Sequence, residues 1–312
     1  YPHNYSTPED VRRLTDELRR LTMESTHGIA PIISADQEGG RVAALRFDSF
    51  VQLPSAFDIG SFRDSDFAQA AGYITGEQLQ EVGINMNLAP VVDVYGGNDS
   101  TIIGDRAFSG DTGVTATMGT AFMRGLNRAG VMAVAKHFPG HGVSTTDSHG
   151  ALPVSDIAPE ELWDVHIRPF AEMIRAGVEV VMPAHVLYSR IDARLPATLS
   201  PTFMRDILRE RLGFDGVVIA DGLEMGALTN NFSKREILAR TLTNGTDLLL
   251  LISDWDLLEM TRIAEDLVDE GIVSPDRLRA SVRRILELKA RYGLLSEVRV
   301  DELPRAVAYK SR

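Results

Sequence analysis

VMAVAKHF, residues Val131–Phe138, is the stretch from which the fold can be read. Its apolar residues are continuous rather than alternating, and the run ends in a lysine and a histidine. A strand of a parallel sheet reads this way, because helices cover both of its faces. Five other runs have the same character: APIISAD (Ala30–Asp36), NMNLAPVVDV (Asn85–Val94), VEVVMPAHV (Val178–Val186), GVVIAD (Gly216–Asp221) and DLLLLIS (Asp247–Ser253).

Between and beyond these runs, apolar residues recur at spacings of three and four, which predicts eight helices at about 7–26, 65–82, 112–129, 159–176, 201–212, 233–244, 255–270 and 275–292. STPED (Ser6–Asp10), LSPTF (Leu199–Phe203) and VSPDR (Val273–Arg277) read as helix starts, each with a capping side chain before a proline at the first helical position. Gly28, Gly83, Gly130, Gly177, Gly213, Gly245, Gly271 and Gly293 read as the matching stops.

Strand and helix in alternation imply an α/β fold, either a barrel or a doubly wound sheet. Polar groups close run after run: Asp36, Asp93, Lys136 with His137, His185, Asp221, and Ser253 with Asp254. A barrel assembles its site from many strand ends, whereas an open sheet concentrates it at one switch point. The expectation is therefore a TIM-like (β/α)8 barrel, one catalytic domain over residues 1–312. Six strands are legible where closure needs eight, so the first one or two strands are expected upstream of Tyr1.

Composition excludes several function classes. A formal charge of −12 and a pI near 5.1 do not supply the clustered cations that a nucleic-acid surface needs. No apolar run approaches the roughly 20 residues of a membrane span. The absence of cysteine removes disulfides and thiolate ligands. A cytoplasmic location is expected, or export if a signal segment precedes Tyr1; the sequence leaves the oligomeric state unread.

Titratable residues crowd the segment KHFPGHGVSTTDSHGALP (Lys136–Pro153). In TDSH, Asp147 and His149 stand two apart, so the carboxylate can bond one ring nitrogen while the other faces a substrate as general acid/base; the alternative is a pair of turn residues. Asp221 ends a buried strand beside Gly222, which suits a nucleophile for an anomeric carbon but also an ordinary Asp-Gly turn. His137, His141 and His149 with Asp147 could instead hold zinc, although no H-x-H or H-E-x-x-H spacing is present. Asp36 in ADQEGGRV and Arg106 in IIGDRAFSGD offer the acceptors and forked donors of sugar recognition, or a structural ion pair.

Taken in order, DQEGGRV (Asp36–Val42), GDRAF (Gly104–Phe108), KHFPGHG followed by DSH, MPAHV (Met182–Val186) and ADGLEMGA (Ala220–Ala227) resemble glycoside hydrolase family 3. The histidine-bearing loop is similar to that of the bacterial β-N-acetylglucosaminidases that recycle peptidoglycan. The resemblance implies a retaining exo-acting glycosidase that needs no cofactor or metal and acts on N-acetylglucosaminides such as muropeptides. It implies Asp221 as nucleophile, His149 with Asp147 as acid/base, and Asp36, Arg106, Lys136 and His137 around the sugar, with His185 shaping the pocket. One departure is Gly222, where family members often carry a second aspartate. A phosphorylase or β-glucosidase of the same family, or a sugar-binding derivative without catalysis, are the alternative readings.

Overall fold

A computed structural model describes residues 5–26, 28–95, 102–143, 148, 150–252 and 255–295. Its centre is a five-stranded parallel sheet whose strands follow one another in chain order: Ser34–Ala35, Met86–Asn87, Met132–Phe138, Val180–Pro183 and Val217–Val218. A parallel bridge from Ile219 to Leu248 carries the order on to the sixth run. All six sequence-predicted runs thus stand side by side, with a helix after each of the first five, the arrangement of a TIM-like α/β fold. The sheet does not close on itself among the described residues.

The strands read as continuous because their two faces bury different cores. Met86 and Leu88, Met132 and Val134, Val180 and Met182, and Val217 and Ile219 meet in one apolar cluster with Leu288 and Leu294. The residues between them, among them Ala89, Ala133, Ala135, Val181 and Val218, pack into a second, larger cluster with the surrounding helices. Side chains alternate along a strand, so a run with two buried faces must be apolar at every position.

The eight helices fall where the spacing puts them, from Pro8–Ser25 to Pro275–Arg291. Two more short ones, Ala56–Ser61 and Gly226–Thr229, carry too few turns to show a period. Thr7 forms a capping box with Asp10, and Ser274 caps Arg277. The third predicted cap differs: the Ser200 hydroxyl donates to Asp192 at 2.6 Å, and the helix Thr202–Arg211 begins without a side-chain cap. Its hydrogen bonds have the wider π spacing, as do those of Leu162–Ile167 within the predicted 159–176 helix.

All eight predicted glycine stops have positive φ. Gly245 is the clearest case, ending Lys234–Asn244 with φ 114°, where a side chain would be strained. Elsewhere glycine permits close approach. A Cβ on Gly72 would strike the Phe122 carbonyl and one on Gly125 the Gln69 carbonyl, so helices Ser65–Glu81 and Thr112–Arg128 touch backbone to backbone. No helix among the described residues is long and apolar enough to cross a membrane.

Candidate active site

Strand parity positions the site. The alternate residues that build the inner cluster continue toward the C-terminal strand ends as Asp36, Leu88, Lys136, Met182 and Asp221, and all five line one cavity of about 260 Å³. Arg106, His137, His141, Ser148, Met225 and Leu250 complete much of its wall. The inner face is therefore hydrocarbon at its base and polar at its mouth.

His137 has the wrong parity for this face. The ladder to the next strand loses register between Lys136 and Phe138, which frees the ring to reach the cavity. Its Nδ1 lies 2.8 Å from Asp93, whose carboxylate also accepts from the backbone N–H groups of His137 at 3.3 Å and His141 at 2.6 Å. Burial raises the Asp93 carboxyl, while those N–H groups favour its anion. Burial, with Arg106 and Lys136 nearby, holds the His137 imidazole far below its usual pKa. It is neutral at pH 7, with Nδ1–H donating to Asp93 and a lone pair on Nε2.

Glu38 is the hub of the cationic side. Its carboxylate takes a two-pronged bond from Arg106, 2.8 Å from both Nε and Nη2, and a 2.7 Å ion pair from Lys136. Lys136 also reaches Asp36 at 2.6 Å. Burial alone would raise the Glu38 carboxyl, but Lys136 and Arg106 outweigh it and hold the group at about 2. Burial works against the Lys136 ammonium too, yet Asp36 and Glu38 keep it charged. Asp36 is the open member, with 48% of its side chain exposed.

Asp221 lines the same cavity. Its Oδ1 accepts from the Gly222 N–H at 2.8 Å. Burial pushes its carboxyl up, while His185, His137, the Gly222 N–H and Lys136 pull it below the ordinary carboxylate value. It is an anion at neutral pH. At Gly222 a Cβ would come 2.9 Å from Ile252 Cγ1, so a side chain here would require Ile252 to shift.

The sequence-predicted residues Asp36, Arg106, Lys136, His137 and Asp221 thus share one cavity. His185 stands behind the wall, bonded to Thr198 and to the Gly222 carbonyl. Asp147 and His149 lie outside the described residues, as do Ser253 and Asp254. Their neighbours Ser148 and Gly150 are described, and Ser148 lines the cavity. Ser148 lies 3.3 Å from His141 Nε2 and its carbonyl accepts from the Ala227 N–H; Asn230 donates to the Gly150 carbonyl. No cluster of three or more metal-binding side chains occurs among the described residues.

Sequence reasoning assigned no role to Glu38 and left Asp93 as a bare strand-end carboxylate. Glu38 lies two residues from Asp36 in an extended segment and so on the same side of the chain, but the cations that give it a role are distant in sequence. The Asp93 contacts join residues 44 and 48 positions apart and leave no local signal.

The model of the glycosyl hydrolase family 3 N-terminal domain matches residues 1–288. This chain belongs to that family. A β-hexosaminidase of Methylococcus capsulatus is 40% identical over 80% of this chain and 73% of its own length. One from Thioalkalivibrio sulfidiphilus is 36% identical over 92% and 80%. Among solved structures, a family 3 β-N-acetylglucosaminidase from Paenibacillus sp. FPU-7 superposes with a TM-score of 0.88 at 37% identity, over 94% of this chain. The chain spans 56% of that structure, a little over half of its length. The motif resemblance is borne out at the level of family and fold.

Proposed function

We propose that this family 3 chain acts as one catalytic unit, a retaining exo-β-N-acetylglucosaminidase that removes terminal β-linked N-acetylglucosamine from peptidoglycan fragments. The observation that carries the reading is a single cavity lined by Asp221 together with Asp36, Lys136, Arg106 and His137. Its relatives named β-hexosaminidase, and the β-N-acetylglucosaminidase structure from Paenibacillus, support the choice of sugar.

In the first step an Asp221 oxygen attacks the anomeric carbon, the glycosidic C–O bond breaks, and the leaving oxygen takes a proton from His149. In the second, water gives a proton to the same imidazole and its oxygen displaces Asp221, so two inversions restore the β configuration. Asp147 orients the ring. Neutral His137 presents an acceptor to one sugar hydroxyl, and Asp36 accepts from others. His141 has a buried Nδ1 without a hydrogen-bond partner among the described residues, and burial holds that ring below its usual pKa.

Turnover of nitrophenyl N-acetylglucosaminide against nitrophenyl glucoside, each with and without phosphate, tests the reading. The expected product is free N-acetylglucosamine, formed at a rate independent of phosphate. A sugar 1-phosphate product would turn the reading to phosphorolysis, and preference for the glucoside would refute the sugar assignment. Trapping with a fluorosugar followed by peptide mass spectrometry should label Asp221.

A further inference from the structure

His185 is 1% exposed and bonded through both ring nitrogens. Nδ1 lies 2.8 Å from the Thr198 hydroxyl, and Nε2 lies 3.1 Å from the Gly222 carbonyl. That hydroxyl has one hydrogen, and the distances assign it to the Ala184 carbonyl at 2.8 Å, with the Pro183 carbonyl farther off at 3.4 Å. Thr198 Oγ1 can then only accept from the imidazole, so Nδ1 bears a hydrogen. A carbonyl oxygen only accepts as well, so Nε2 bears the other. Turning the hydroxyl hydrogen onto Nδ1 would leave the Thr198 and Ala184 oxygens 2.8 Å apart with no hydrogen between them.

Charge points the same way. Asp36, Glu38, Asp93 and Asp221 bring four carboxylates to this end of the sheet, against the cations Arg106 and Lys136 and the neutral His137. A further cation beside Asp221 reduces that excess, and His185 exerts the largest of the attractions that lower the Asp221 carboxyl.

We infer that His185 is a positioning residue, a doubly protonated imidazolium that clamps the turn at Gly222 and supplies a fixed counter-charge to Asp221. The Gly222 N–H holds the Asp221 carboxylate and its carbonyl receives His185, so one glycine links the two. The Thr198 end is fixed in turn, because Asn244 donates to the Thr198 carbonyl. The clamp rests on the reading of Asp221 as nucleophile, whereas the charge on the ring does not.

The test joins two measurements on the whole chain. In the 15N NMR spectrum at pH 7, with the His185 signals assigned by their loss in His185→Gln, both ring nitrogens should be protonated. Glutamine can still donate to the Gly222 carbonyl but carries no charge. His185→Gln should therefore lower kcat/KM on the order of 10²-fold, mostly in kcat, and move the acid limb of the pH profile upward because Asp221 loses its counter-charge. Besides His185, His137 and Lys136 act on Asp221; Lys136 stays charged throughout that range, so Asp221 and His137 are the groups that share the limb. A single protonated nitrogen, or an acid limb unmoved in a folded His185→Gln chain, overturns the inference. Should His185→Gln not fold, the wild-type spectrum, assigned by through-bond correlation, decides it. If Asp221→Ala keeps full turnover, the nucleophile reading fails while the spectrum still tests the imidazolium.

Discussion

Two buried ion clusters occupy opposite ends of the same sheet, and they differ in what they leave unfinished. At the N-terminal ends of the strands, Asp247 is wholly enclosed. It accepts from Arg209 at 2.9 Å, Arg284 at 3.0 Å, Arg277 at 3.4 Å, the Ser281 hydroxyl and the Val218 N–H. Every bond there ties one chain segment to another. At the C-terminal ends, Glu38 fixes Arg106 and Lys136, while Asp36 stays half exposed on the cavity wall. The sealed cluster fastens loops and the open one presents groups to a ligand, which is the division of labour expected between the two faces of a barrel.

Asp221→Asn should cut the comparison most deeply. Replacing the carboxylate by an amide that cannot attack carbon should lower kcat by roughly 10⁴-fold or more, as losing a covalent catalyst does, with the melting temperature little changed. A residual rate within a factor of ten of wild type would remove Asp221 from the mechanism. Asp247→Ala should show the reverse pattern. It strands three arginines in a place where burial already drags Arg209 down to about 10, with Asp247 opposing and Arg284 adding to the fall. Breaking such a cluster costs about 3–5 kcal/mol of stability, measurable by urea unfolding, while the KM of the folded fraction stays put.

His149→Ala follows in size, with a fall in kcat of roughly 10²- to 10⁴-fold. The loss should be greatest for substrates with poor leaving groups, since nitrophenolate departs with less help from an acid. Equal losses on nitrophenyl and natural aglycones would assign His149 a role other than proton transfer.

The contrast also explains what the sequence could reveal. Strands and helices were legible because both depend on short-range periodicity, and the sheet's chain-order neighbours follow from alternation of the two. Asp36, Lys136 and Asp221 were legible because each ends an apolar run. The hub role of Glu38 was not, since a glutamate followed by two glycines reads as a turn until Arg106 and Lys136, 68 and 98 residues on, close around it. The Asp247 cluster was hidden for the same reason, because its arginines sit on helices where arginine ordinarily faces water. Ser200 misled because a serine before proline matches a cap, and only the fold brings Asp192 close enough to take its hydroxyl.

Glu38→Gln gives the smallest and most discriminating effect. The amide keeps the shape but loses the charge that holds Arg106 and Lys136, so KM should rise more than kcat falls, together on the order of 10- to 100-fold in kcat/KM. Acid titration sharpens the point. The Glu38 carboxyl is lowered from 4.5 to about 2 in the folded chain. A group with a depressed folded pKa stabilises fully above its unfolded value, and that contribution disappears as pH falls through the folded one. Wild-type stability should therefore decline between about pH 4.5 and 2 with a component that Glu38→Gln lacks, the window being set by the same two values. Urea midpoints measured down that range for both chains, and for Asp247→Ala as the sealed counterpart, isolate the component. Parallel curves for wild type and Glu38→Gln would mean that the open cluster does not store its stability in Glu38, and that the cations of the cavity are held by Asp36 and the surrounding carbonyls instead.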